Sequence, residues 1–148
     1  MRIIIANDHG AVNLKNEIVG YLSSRGHEVN NLGVDCSDSC DYPDMARLAV
    51  DEFRKGDYDF GILLCGTGIG ISMSANKLKG VRCALPSNIF AAEMSKAHND
   101  ANFLAFGGRM QYADKVTDMI QKFIDTKFEG GRHAVRVSKM MALEECED

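Results

Sequence analysis

The sequence predicts an α/β protein built on a five-stranded parallel sheet with helices on both faces. Three observations predict it. Five short apolar runs alternate with segments of helical periodicity. The connections between them are short. No linker, repeat or low-complexity tract interrupts the alternation. That pattern specifies parallel strands joined by helical crossovers. With 148 residues, a single domain over 1–148 is the expectation.

Each element has its own signal. "RIIIA" (Arg2 to Ala6) is a β-branched run and reads as a buried strand. Leu14, Ile18 and Leu22 mark one face of a helix that stops at Gly26. "EVNNLG" is a weaker second strand. "DYPDMARLAVDEFRKG" carries Ala46, Ala49, Val50 and Phe53 at helical spacing, with Pro43 near its start and Gly56 after its end. "DFGILLC" is the third strand, and "GIGISMSANKLKG" turns into a helix running to Gly80. "VRCAL" is a fourth strand, and "SNIFAAEMSKAHN" a helix capped by Ser87. "NFLAFGG" is the fifth strand. In "ADKVTDMIQKFIDTKF" the residues Val116, Ile120 and Phe123 or Ile124 face inward. A last helix is read from Glu129.

Composition excludes several classes. The net charge is −4, against the basic surface that general nucleic-acid binding needs. No apolar run approaches the ~18 residues of a membrane span. "MRIIIANDHG" has one basic residue and too short an apolar core for a signal peptide, so a cytoplasmic location is expected. Five cysteines, Cys36, Cys40, Cys65, Cys83 and Cys146, then read as reduced thiols. Cys36 and Cys40 form the one close pair. No second pair completes a metal site with them, and their spacing is not the CxxC of thiol-redox proteins.

In open parallel sheets ligands bind beyond the carboxyl ends of the strands. There the first strand carries Asp8 and His9, and the third carries Cys65 before the turn "GTGIG", Gly66 to Gly70. Glycines let backbone approach a ligand closely, and successive N–H groups opening a helix favour negative charge. The turn lacks the Lys-Ser/Thr of a phosphate-binding P-loop and the acidic ribose partner of a dinucleotide fingerprint. It reads either as a cradle for an anion or as a tight strand-to-helix turn. A free cysteine usually only packs. Beside a helix N-terminus it is also suited to moving a proton. Thr67 adds a hydroxyl. "HNDAN" places His98 and Asn99 at the end of a helix, on the opposite edge of the sheet, where a second subunit could bring them to the site. "FGGR" supplies Arg109 after the fifth strand. Arg132 and Arg136 share a helix face, which suits a phosphate as well as solvent. His133 points about 100° away from Arg132 and is left unassigned.

Taken together, "DHG", "DYPD", "CGTGIGISMSANK", "HNDAN", "FGGR" and "EGGRHAVRV" resemble the ribose-5-phosphate isomerase B family, in its order and spacing from residue 8 to residue 137. Galactose-6-phosphate isomerase subunits and allose-6-phosphate isomerases share most of these motifs. The resemblance implies a Rossmann-like three-layer sandwich that works as a homodimer or tetramer, with active sites shared between subunits and a C-terminal helix reaching the partner. It implies a small-molecule sugar phosphate as substrate, in the pentose phosphate pathway, with no cofactor, metal, nucleic acid or membrane. Asp8, His9, Cys65, the turn Gly66, Thr67, Gly68, Ile69 and Gly70, with Arg132 and Arg136, would meet His98, Asn99 and Arg109 of the neighbour. Members divide by their base, a cysteine before the turn or a glutamate after it. Cys65 is present here and Ile71 holds the second position, so this chain resembles the cysteine type. It departs at Ala6, Asn7 and Ala11, which bears on the preferred sugar.

The resemblance implies an aldose–ketose isomerisation of ribose 5-phosphate and ribulose 5-phosphate. His98, with Thr67, would open the sugar ring. Cys65 would move the proton between C2 and C1 through a cis-enediolate held by the amides of the turn. Asp8 and Asn99 would hold hydroxyls, and His9, Arg109, Arg132 and Arg136 the phosphate. A hexose 6-phosphate of the allose or galactose type is the alternative substrate. A non-catalytic sensor of a phosphorylated metabolite is the alternative class.

Overall fold

A computed structural model describes residues 1–145, so Cys146 lies outside the described residues. The chain runs β1 (Arg2–Asn7), a 3-10 turn (His9–Ala11), α1 (Val12–Ser24), β2 (Glu28–Asn31), α2 (Tyr42–Phe53) and β3 (Phe60–Cys65). It continues as α3 (Ile69–Ala75), β4 (Cys83–Ala84), α4 (Ile89–Ala97), β5 (Phe103–Gly107), α5 (Val116–Asp125), α6 (Arg132–Ala142) and a closing 3-10 turn (Leu143–Glu145). The strands form one parallel sheet in the order β2-β1-β3-β5-β4. The α/β architecture with a five-stranded parallel sheet is the expected one.

Strand side chains alternate between two faces, and each face builds its own core. Ile3, Ile5, Ile62, Leu64, Leu104 and Phe106 meet Ile18 and Leu22 of α1 and Met119, Ile120 and Phe123 of α5. On the other face Ile4, Ala6, Leu63, Cys65 and Ala105 meet Met45, Ala46, Ala49 and Val50 of α2 and Ile71 and Ala75 of α3. Helix α6 belongs to neither core. It buries His133 alone, and Val135 and Met140 on it stand exposed.

Three local readings are corrected, and one buried residue is new. Helix α4 is capped by Asn88, whose side chain accepts the Ala91 N–H at 2.8 Å, and not by Ser87. Helix α3 ends at Ala75, short of Gly80, and β4 shrinks to two residues. One residue accounts for both. The Asn76 amide donates to the Cys83 carbonyl at 2.9 Å and accepts the Cys83 N–H at 2.8 Å. It takes the place of a strand partner on the outer edge of β4. Finally, α1 buries Lys15 completely beside Ile18, its ammonium paired with the Asp35 carboxylate. That ion pair pins the segment between β2 and α2 to α1. Asn7 pins the same segment from the sheet side, donating to the Val34 carbonyl at 3.1 Å.

Gly61 shows how tightly the sheet face is filled. A Cβ there would lie 2.1 Å from the ring of Phe103, which is wedged against Phe53 at a centroid distance of 5.0 Å. Gly61→Ala should therefore cost about 1–3 kcal/mol of stability in urea titration. Gly20 of α1 has nothing within 4 Å of its Cβ position. Gly20→Ala should be neutral or gain up to ~1 kcal/mol. Equal effects at the two positions would contradict this packing.

Candidate active site

The carboxyl ends of β1, β3 and β5 converge through backbone. The Asp8 N–H donates to the Leu64 carbonyl at 3.0 Å. The N–H groups of Gly108 and Arg109 donate to the Cys65 and Gly66 carbonyls at 2.8 and 2.9 Å. Contact is close enough to exclude side chains. A Cβ on Gly10 would stand 2.9 Å from the Gly66 nitrogen, and one on Gly108 would stand 2.6 Å from the Gly10 oxygen. A Cβ on Gly107 would lie 2.6 Å from the carbonyl carbon of Thr67.

This edge gathers part of the predicted site. Asp8 is 5% exposed, and its Oδ1 accepts the Gly10 N–H at 2.8 Å. His9 Nδ1 accepts the Cys40 N–H at 3.3 Å. Arg109 lies over Gly66, where a Cβ would come 3.3 Å from its Nη1. A cleft of about 660 Å³ opens here, lined by His9, Gly10, Asp35, Cys36, Gly108 and Arg109. Its size suits a small ligand.

Cys65 is 4% exposed, and its Sγ accepts the Gly68 N–H at 3.1 Å. Its side chain is on the α2–α3 face. Thr67 is exposed, and its hydroxyl accepts the Ile69 N–H at 3.3 Å. The amides of Gly68 and Ile69 are thus engaged inside the turn. The glycines of the turn differ in what they are for. Gly68 adopts φ +78°, which favours glycine. Gly70 clears the ring of Tyr42, 2.6 Å from where its Cβ would be. Cys83, by contrast, is desolvated, and burial pushes its thiol up to about 12.

The rest of the predicted site is on the opposite edge. His98 caps the C-terminus of α4, ahead of Phe103, the first residue of β5. Cys65 stands beside Gly107, the last residue of β5. Four strand steps, roughly 13 Å, separate the two levels. Asn99 faces a different cleft of about 620 Å³, shared with Arg82 and Met140. Its turn is held by Arg82, which donates to the Asp100 carbonyl from Nε and Nη2 at 2.9 and 2.7 Å. Asp100 there takes φ +45°.

The structure regroups the arginines. Arg109 sits with His9 and the glycine turn of its own chain, whereas Arg132 sits with His98. Gly130 and Gly131 have φ of +66° and +54°, and this reversal starts α6. The Glu129 N–H donates to the Ala97 carbonyl at 3.0 Å, which fixes the turn to the end of α4. His133 then stacks on His98, ring centroids 4.0 Å apart and planes within 6°. Arg132 Nε donates to His133 Nε2 at 3.5 Å. His98, Glu129 and His133 bring their polar atoms within 4.8 Å of one another, a carboxylate–histidine cluster that sequence spacing does not show. The signal for it was the glycine pair in "EGGRH".

An open parallel sheet with a glycine turn and a cleft at its carboxyl edge defines a Rossmann-like protein with a candidate small-ligand site at that edge. Comparison with known proteins narrows this class. Residues 3–140 match the family described as Ribose/Galactose Isomerase, and the chain belongs to that family. It is 40% identical over 144 residues to ribose-5-phosphate isomerase B of Escherichia coli, covering 97% of each chain. Its fold matches ribose-5-phosphate isomerase B of Clostridium thermocellum with a TM-score of 0.95, at 43% identity and full coverage of both chains. The Mycoplasma genitalium enzyme, solved with bound ribulose-5-phosphate, matches with a TM-score of 0.90 at 38% identity, over 97% of this chain and 96% of that one.

Burial is the main cause holding the His133 imidazole below its ordinary 6.5, aided by His98, Arg132 and Arg136 and opposed by Glu129. The unfolded chain therefore takes up this proton at a higher pH than the folded one. As pH falls from 6.5 towards the lowered midpoint, this group makes folding less stable. An NMR titration should place the His133 midpoint below 6.5. A midpoint at or above that value would contradict the packing described.

Proposed function

We propose that this chain interconverts ribose 5-phosphate and ribulose 5-phosphate as a cysteine-type isomerase. The observation that carries the reading is the backbone convergence of Cys65, the glycine turn, the His9 turn and Arg109 on one edge. The family match and the relatives named for this activity support it.

The chemistry follows from the groups. The sugar arrives closed, and His98 with Thr67 moves the anomeric hydroxyl proton to the ring oxygen as the C1–O bond breaks. Cys65, as thiolate, takes the proton from C2, and the electron pair becomes the C1–C2 double bond of a cis-enediolate. The negative charge rests on oxygen, close to the amides of the turn. The O2 proton passes to O1, C2 becomes the ketone carbonyl, and the proton held on sulfur, or one from solvent exchanged onto it, is added at C1, which restores the thiolate. Asp8, through its second carboxylate oxygen, and Asn99 orient hydroxyls. His9, Arg109, Arg132 and Arg136 bind the phosphate and hold C2 over sulfur.

No single chain brings these groups together, because the sheet separates Cys65 from His98. We therefore read the unit as a dimer with shared sites. The Cys65 edge of one protomer meets the His98 edge of the other. Helix α6 reaches across with Arg132 and Arg136, and its exposed Val135 fits such a contact.

Cys65→Ala should lower kcat by ~10²–10⁴-fold while phosphate-ligand binding survives. Near-normal turnover would remove sulfur from the mechanism. Arg136→Ala should raise KM, and an unchanged KM would count against its phosphate role. Ribose 5-phosphate should lead allose 6-phosphate and galactose 6-phosphate in kcat/KM, and a hexose 6-phosphate in first place would reassign the substrate.

A further inference from the structure

His133 carries no role in the chemistry above, yet it is the one buried residue of α6. Its surroundings are built rather than incidental. The Gly130–Gly131 reversal is purely conformational, since a Cβ at either position meets nothing within 4 Å. What the reversal achieves is placement. Glu129 is tied by its N–H to Ala97, the residue before His98. Its Oε2 then lies 3.7 Å from His98 Nε2 and 3.3 Å from His133 Nε2. The His133 N–H donates to the Gly130 carbonyl at 3.0 Å, locking the first turn of α6. Its ring lies flat against that of His98.

We propose that His133 and Glu129 are positioning residues for His98: His133 is the neutral face that holds the ring, and Glu129 is the counter-charge for the imidazolium. This rests on the reading in which His98 opens the sugar ring. When His98 takes the anomeric proton it becomes a cation. That cation would have an aromatic face at 4.0 Å and a carboxylate oxygen 3.7 Å from its Nε2. When it gives the proton to the ring oxygen, it returns to the neutral stack. Glu129 Oε2 also lies 3.3 Å from His133 Nε2, but the burial of that ring, the Arg132 Nε–H pointing at the same nitrogen and the facing His98 outweigh it and keep His133 the neutral partner. Two imidazolium rings face to face would repel, so only the outer, more exposed ring carries the charge.

The same three side chains could be taken for a metal site. The ring geometry opposes that. Imidazoles that share an ion converge on it edge-on, whereas these rings are parallel within 6°. The guanidinium of Arg132 also occupies the nitrogen that would ligate.

The test separates ring opening from proton abstraction. Ribulose 5-phosphate is open-chain, so exchange of its C1 proton in deuterium oxide needs Cys65 and not His98. Turnover of ribose 5-phosphate needs both. His133→Ala and Glu129→Gln should each lower ribose 5-phosphate turnover by roughly 10–100-fold, a part of what a positioned acid–base group supplies. Both should leave C1 exchange within about twofold of the unaltered protein, with Cys65→Ala as the floor. Equal losses in turnover and exchange would make the role merely structural and overturn the proposal, as would undiminished turnover. Zinc binding lost in His133→Ala would overturn it in favour of a metal site. His98→Asn separates the two levels of inference. If it leaves ribose 5-phosphate turnover intact, the ring-opening reading fails. If it lowers turnover and the other variants do not, only the positioning role fails. Should His133→Ala not fold, Glu129→Gln decides alone, since that side chain is 55% exposed.

Discussion

Backbone touching backbone at the carboxyl edge of the sheet is the constraint on which the candidate site depends. Gly10 lies on Gly66, Gly107 on Thr67 and Gly108 on Gly10. At each contact a Cβ would come within 3 Å of main-chain atoms, which cannot move aside cheaply. Removing the side chains lets three loops from three strands interlock. The consequence is positional. Asp8 and His9 after β1, Cys65 at the end of β3 and Arg109 after β5 end up on one edge, although they are far apart in sequence; His9 and Arg109 line its cleft, and Cys65 is buried on the α2–α3 face. Rigid elements hold these groups better than long loops would.

The opposite edge is organised by different means. Its groups hang on the end of α4 and the start of α6, joined by one backbone hydrogen bond and one glycine pair. In the proposed mechanism the sheet leaves Cys65 at one end of the chain and His98 at the other, so each end would hold half of a site. Such a division is productive in a symmetric pair, where each end faces its complement. The proposed pair would also give α6 a role: the helix adds little to either core, and its Val135 and Met140 stand exposed.

The fold was legible because its signals are local and repeated. Apolar runs of the right length, glycine stops and short connections sufficed for five strands and the helices between them. Strand order was not legible, because sequence patterns do not say which strands are neighbours. The early end of α3 was missed because the Asn76 side chain is bonded to Cys83, seven residues on, a contact invisible to helical periodicity. Lys15 was missed for a similar reason: a lysine on a buried face becomes tolerable only once Asp35 is known to reach it. In the site, residues at strand ends were found by topology alone. The grouping of Arg132 with His98, and the stack with His133, required the reversal at Gly130 and Gly131, which spacing on a helix could not reveal.

The central claim is that a working site needs sulfur from one chain and imidazole from another. Subunit exchange tests it directly. Cys65→Ala and His98→Asn, each inactive alone on ribose 5-phosphate, would be unfolded gently together and refolded as a mixture. Random pairing should return roughly a quarter of the unaltered activity, because half of the pairs are mixed and each mixed pair has one intact site. If the mixture stays as inactive as its components while mixed pairs are shown to form, Cys65 and His98 act within one chain, and the divided site is wrong.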